Sequence, residues 1–245
     1  MSLEIHPLLL AEGETDASFV VWGNTPGKRV KISVSAFLIL GGEMPILVDA
    51  GMKVPGGHIE DGFFVFTQTS EQTLKARLAE YDLEPGDIGA LVFTHLHVDH
   101  TGFMTDLPEA RIVVQRRELQ YAAAPHFPAS MYFRPDISAL VDPLCDRIDF
   151  VEGDHQLADS IRLSWTGGHS PGHQQVEVAL DSGRAVICGD NVYLIDPGLT
   201  RQMSPGYVTS IEENQRAIAR LRHDADYVLP SHDLTIYESY PDGLR

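Results

Sequence analysis

At 245 residues, 43% apolar and 22% charged, the chain is long enough to bury a substantial core and is ordinary in composition for a globular protein. Its net charge of −17 repels phosphate backbones and anionic lipid, which argues against a nucleic-acid or membrane partner. No run approaches the ~18 apolar residues a membrane span requires, and two cysteines without CxxC spacing, Cys145 and Cys188, make no disulfide framework and are expected as buried thiols.

The N-terminal stretch MSLEIHPLLLAEGETD has neither a basic segment nor a small-residue cleavage site, so no signal peptide and a cytoplasmic location are expected. Arg29 to Gly51 reads as two strands joined at Gly41-Gly42, an antiparallel hairpin ending in Asp49-Ala50-Gly51. Ser70 to Leu83 has Leu74, Leu78 and Leu83 near helical spacing, with Ser70 as candidate cap and a stop at Pro85-Gly86. IGALVFTH follows as a buried strand, then ARIVVQ as a strand and RRELQYAAA as a helix start. RIDFVEGD, IRLSWT, QQVEVAL and RAVICGD read as strands, SIEENQRAIARLRHD as an amphipathic helix capped by Ser210, and DYVLPSHD as a last strand.

Two halves of similar content predict an α/β fold: one domain spanning residues 1–245, a four-layer αββα sandwich of two mixed β-sheets flanked by helices. Two long segments, Pro55 to Thr69 and Ala124 to Asp146, read as loops of the kind that bind ligands or act as lids.

The most informative stretch is VFTHLHVDHTG, Val92 to Gly102. HxHxDH is expected by chance roughly 0.002 times in a chain of this composition, so a coincidental cluster of surface histidines is set aside. On an extended strand end His95, His97 and Asp99, at i, i+2 and i+4, point to one side. A turn at Thr101-Gly102 would let His95 and His97 face one metal ion while Asp99 and His100 face another. Four residues are too few for two ions, since zinc takes about four N, O or S donors. Further donors stand at the C-terminal ends of apolar strands, where ligand sites collect in α/β sheets: His169 in WTGGHSPGH, Asp190 after VICG, and His232 in VLPSHD. Taken singly, each is equally well a capping aspartate or a core-edge histidine.

In the order Asp49, His95-x-His97-x-Asp99-His100, His169, Asp190, His232, the chain resembles the metallo-β-lactamase-fold hydrolases over nearly its whole length. The resemblance implies one metal held by His95, His97 and His169, a second by Asp99, His100 and His232, and Asp190 bridging them. It also implies Asp49 behind the ligands, orienting an imidazole, with His173 in a similar supporting role. Two divalent ions, zinc first and iron, manganese or cobalt open, would generate hydroxide at neutral pH to attack an ester, lactone, thioester or amide carbonyl. His6, His58, His126, His155 and His223 lack such a setting and are expected on the surface or in loops.

Within that fold the chain is most similar to the N-acyl homoserine lactonases, through PILVDAGM, HLHVDHTG, VQRRELQYA, VEGD, GHSPGHQ and DNVY. The likeness implies that Tyr193, three residues after the bridging aspartate, points into the site and joins Asp99 as a catalytic group; the plainer reading of Tyr193 is a core-edge aromatic. Phe63, Phe64, Phe66, Phe127, Met131, Tyr132 and Phe133 in the two long loops could line a groove for an acyl chain or form a packed lid. The expected partner is a small molecule with a lactone, ester or thioester carbonyl, and homodimeric assembly stays open.

Alternative readings are a glyoxalase II-type thioesterase, which shares all seven ligands but normally adds a C-terminal helical domain where only 13 residues follow His232, and a mononuclear iron persulfide dioxygenase, against which Asp190 and His232 together argue. A redox diiron protein would carry a carboxylate where His97 stands. The acidic charge weighs against a nuclease, and the full second ligand set against a β-lactamase.

Overall fold

The structure, a computed structural model, describes residues 2–126 and 131–245. Thirteen strands form two sheets. The larger uses β1 (Glu4–Asp16), β2 (Arg29–Leu40), β3 (Ile46–Val48), β4 (His58–Glu60), β5 (Val65–Thr67), β6 (Ala90–Val92), β7 (Arg111–Gln115) and β8 (Ile148–Val151), in the order β4-β5-β1-β2-β3-β6-β7-β8. The smaller uses β9 (His155–Ala158), β10 (Ile161–Trp165), β11 (Gln174–Leu180), β12 (Gly183–Gly189) and β13 (Tyr227–Pro230), in the order β13-β12-β11-β10-β9.

Strand alternation explains the layering. In β2, Phe37 and Ile39 face the smaller sheet while Ala36 and Leu38 face the other way; in β7, Val113 and its neighbours Ile112 and Val114 divide likewise. The layer between the sheets holds Val48, Val92, Leu163, Val176, Val178, Ile187 and Leu229. Outside the larger sheet, Leu74, Leu78, Leu119, Ile137 and Leu140 of the flanking helices cover it. Outside the smaller one, Ile218 and Leu221 of the helix Ile211–Asp224 cover Val186 and Cys188. This is the expected αββα sandwich. Each of these fully buried aliphatic side chains contributes about 1.5–3 kcal/mol by leaving water.

The 211–224 helix follows its sequence signals: Asn214, Ala217, Ile218 and Leu221 form the buried stripe, Ser210 Oγ accepts from the Glu213 N–H, and Glu212 and Glu213 at the start oppose Arg222 and His223 at the end. Other segments depart from expectation. The 70–83 helix shortens to Leu74–Ala79, because the Thr73 side chain caps it at Ala76 N and Ser70–Gln72 is a separate 3-10 turn. The segment 55–69 contains the β4–β5 hairpin, and a helix, Arg134–Val141, occupies part of 124–146. The N-terminal β1 pairs along its whole length with β2 and, at Glu12–Glu14, with β5. Its Pro7 lies outside the stretch that pairs with β5, where the missing N–H costs little.

Cys188 is buried as expected but Cys145 is exposed. His6 is buried rather than superficial, held by Glu4 and packed against the Tyr81 ring. No helix among the described residues is long and apolar enough to cross a membrane.

Candidate metal centre

β3, β6 and β7 run parallel, as do β12 and β13, so their C-terminal ends open toward one edge of the sandwich. Asp49 follows β3, Thr94 and His95 follow β6, Asp190 follows β12, and His232 follows β13. Asp49 N donates to the Val92 carbonyl and Ala50 N to the His100 carbonyl, stitching the Asp49 turn to the histidine motif.

The motif does not converge by strand alternation. β6 ends at Val92, His95 and His97 lie in a loop, and a short helix, Val98–Thr101, swings Asp99 and His100 onto the next turn. The consequence is two clusters: His95, His97, His169 and Asp190, and Asp99, His100 and His232, each with its donor atoms within 4.8 Å of one another.

Within the first, His97 Nδ1 lies 2.9 Å from His95 Nε2 and 3.0 Å from His169 Nε2. Asp190 stands between the clusters. Its Oδ2 is 3.6 Å from His95 Nε2 and 3.3 Å from His169 Nε2, while its Oδ1 is 3.3 Å from His100 Nε2 and 3.1 Å from His232 Nε2. Asp99 Oδ2 approaches His232 Nε2 at 3.5 Å.

The outward nitrogens of four rings are anchored. His100 Nδ1 donates to Asp49 Oδ2 at 2.8 Å, His232 Nδ1 to the Ser33 carbonyl at 2.7 Å and His169 Nδ1 to the Tyr207 carbonyl at 3.1 Å. His95 Nδ1 donates to Thr94 Oγ1, whose hydroxyl donates to Asp49 Oδ2. A proton on each Nδ1 leaves each Nε2 lone pair facing inward, the tautomer a metal ligand needs. Asp49 therefore supports two rings. His173 accepts the Asp190 N–H at 3.1 Å and bonds Thr166, steadying the residue between the clusters.

Burial, reinforced by neighbouring imidazoles, holds His95, His97 and His173 well below the usual histidine range, and burial pushes His169 down to about 4. For His100 and His232 burial acts the same way, but Asp190 and Asp99, with Asp49 at His100, outweigh it and raise them. Asp190 is held well below the carboxylate range despite its burial, by His232, His100, His95 and His169.

The fully buried His100 Nε2 and Asp190 Oδ1, and Asp99 Oδ1 beside them, have no hydrogen-bond partner. Buried polar atoms are rarely left unpaired. Imidazole nitrogens and carboxylate oxygens in two groups sharing one carboxylate fit a pair of divalent cations.

Tyr193 is buried beside the pair, its ring 4.7 Å from that of His232. Burial, Asp190 and Asp99 push its phenol well above the ordinary tyrosine value. The expected substrate residues scatter more. Phe64 stacks on Phe66 and touches Phe19, which leads to Tyr193. Phe63 and Phe133 are exposed, Met131 packs on the core beneath the helices, and Tyr132 is buried with its hydroxyl on Glu118. Phe127 lies outside the described residues.

A cavity of about 670 Å³ opens beside Tyr207, whose ring is 5.5 Å from that of His169; Trp22, Tyr121, His126, Pro205 and Ile211 are among its lining. Tyr207, Trp22, Pro205 and Ile211, together with Thr94 and Glu118, escape a sequence reading, whereas His126 belongs to the 124–146 segment expected to bind ligands. Glu118 alone leaves a signal, an acidic residue beside Leu119 on the apolar face of its helix.

Residues 30–232 match the metallo-beta-lactamase superfamily. The chain is 30% identical over 238 residues to the N-acyl homoserine lactonase AttM of Azorhizobium caulinodans, covering 87% of each. It is 33% identical over 180 residues to the N-acyl homoserine lactonase AiiA of Bacillus thuringiensis subsp. kurstaki, covering 70% of this chain and 68% of that one. An N-acyl homoserine lactone hydrolase solved with N-hexanoyl-L-homoserine at its catalytic metal centre superposes with a TM-score of 0.83 at 24% identity, covering 99% and 98% of the two chains.

Proposed function

Because this chain belongs to the metallo-beta-lactamase superfamily, we propose that it is a dinuclear-zinc hydrolase that opens the ring of N-acyl homoserine lactones. The observation that carries the reading is the position of Asp190, one carboxylate oxygen toward His95 and His169 and the other toward His100 and His232. His95, His97 and His169 would hold one ion, Asp99, His100 and His232 the other, with Asp190 shared. Nitrogen and carboxylate donors favour zinc, with iron, manganese and cobalt compatible. Such ions supply Lewis acidity and a hydroxide nucleophile at neutral pH.

The chain's own groups do the rest. Water adds through oxygen to the lactone carbonyl carbon, the ring C–O bond breaks, and the products are a carboxylate and an alcohol. Tyr193, kept as a neutral phenol, donates a hydrogen bond where negative charge develops or protonates the departing alkoxide. Asp99 is the carboxylate that accepts the proton given up by water. Asp49, Thr94 and His173 hold the ligands in register.

The test is a panel of an N-acyl homoserine lactone, a glutathione thioester and a β-lactam, assayed with protein of measured zinc content. Lactone opening that exceeds thioester and β-lactam hydrolysis is expected; a preference for the thioester would move the activity to the glyoxalase II type.

A further inference from the structure

Glu118 is fully buried in the helix Arg116–Ala123, and no cation pairs with it among the described residues. Its two carboxylate oxygens serve different loops. Oε1 accepts the Leu96 N–H at 3.1 Å, between His95 and His97, and is 3.4 Å from the Tyr132 hydroxyl. Oε2 accepts the Ser170 hydroxyl at 2.7 Å and the Gly172 N–H at 3.0 Å, in the loop that carries His169. That loop rests directly on the helix: a Cβ at Gly172 would lie 2.3 Å from Glu118 N and 2.5 Å from its Cα. Burial raises the Glu118 carboxyl, against the pull of these four bonds.

Placing a carboxylate out of water is expensive unless its acceptor sites are filled, and here they are filled by the segments that flank three histidines of one cluster. We propose that Glu118 is a positioning residue for the His95–His97–His169 cluster, locking the spacing of its two loops and so setting the affinity of the ion that cluster holds. The other cluster is anchored elsewhere, His100 by Asp49 and His232 by the Ser33 carbonyl, so the effect is confined to one of two ions. This rests on the dinuclear reading above.

The discriminating variant is Glu118→Gln. It keeps the size of the side chain, but all four groups around it donate, and the amide offers one oxygen and one NH2; whichever way it is turned, one loop loses its acceptor. Zinc affinity of the metal-free proteins, measured by competition with a chromophoric chelator, is the readout, with thermal unfolding of both metal-free proteins alongside. One of the two zinc ions is expected to bind about 10–100-fold more weakly in Glu118→Gln, with the other unchanged. Ser170→Ala, which removes one of the four bonds, is expected to weaken the same ion by less.

Equal weakening of both ions in step with a lower melting temperature would make Glu118 a structural brace only and overturn the proposal. Two ions bound as tightly as in the wild type would overturn it as well. If the wild-type protein itself bound no zinc, the dinuclear reading would fall, and this inference with it.

Discussion

Asp49 and His100 are 51 positions apart in the chain, yet Asp49 Oδ2 sits 2.8 Å from His100 Nδ1. The contact needs Asp49 in a left-handed conformation, φ 59°, that most residues avoid. Its side chain takes both the N–H and the hydroxyl of Thr94, and these bonds over-determine the backbone. One carboxylate thereby fixes the His100 ring directly and the His95 ring through Thr94.

Asp49→Asn is expected to lower zinc affinity about 10–100-fold, because its single oxygen can serve either the Thr94 N–H or the His100 imidazole and Thr94 hydroxyl, but not both positions. Metal content after dialysis against a weak chelator measures this; content equal to wild type would assign Asp49 to the fold alone.

Tyr193→Phe keeps the ring against His232 and removes only the hydroxyl. The expected outcome is a fall in kcat of about a hundredfold with bound metal unchanged. Unchanged kcat for lactone opening would exclude Tyr193 from the chemistry.

Gly189 precedes Asp190 with φ 49°, and a Cβ there would meet His173 Nε2 and Thr94 Oγ1, each at 2.8 Å. Gly189→Ala is expected to cost about 1–3 kcal/mol of stability, read by urea denaturation of the metal-free protein. A neutral result would mean that the strand end shifts freely, contrary to the tight seating of Asp190.

Burial, with Asp190 nearby, pushes the Cys188 thiol up, so little thiolate exists at pH 8, whereas Cys145 is exposed. A colorimetric disulfide reagent should titrate one thiol per native chain and two after denaturation. Two fast-reacting thiols in the native protein would show that the layer beneath the 211–224 helix opens readily.

The sandwich was legible where apolar runs were continuous, as in β6, β7 and β12. It was obscured where punctuation misled: Pro7 and a bulge between Leu9 and Ala11 disguised β1, and Pro135, at the start of the helix Arg134–Val141, read as a loop residue although proline suits a first helical turn. Residue type and strand ends marked the seven donors as candidates, and the resemblance to the metallo-β-lactamase-fold hydrolases is what joined them into one site. The two groups in which they gather are those the resemblance implied, but the local geometry differs, because the turn at Val98 is helical where an extended strand end was expected. The place of Glu118 on an apolar helix face was visible, but its partners were not, because two of them are backbone N–H groups of distant loops, which no pattern of side chains announces.

If two metal positions that share one carboxylate open the lactone, activity must follow the loading of both. Metal-free protein is given zinc in steps while proton release from an N-acyl homoserine lactone is followed. Activity absent without metal and rising to a plateau at about two ions per chain is predicted. Ring opening by the metal-free protein, or a plateau at about one ion, would contradict it.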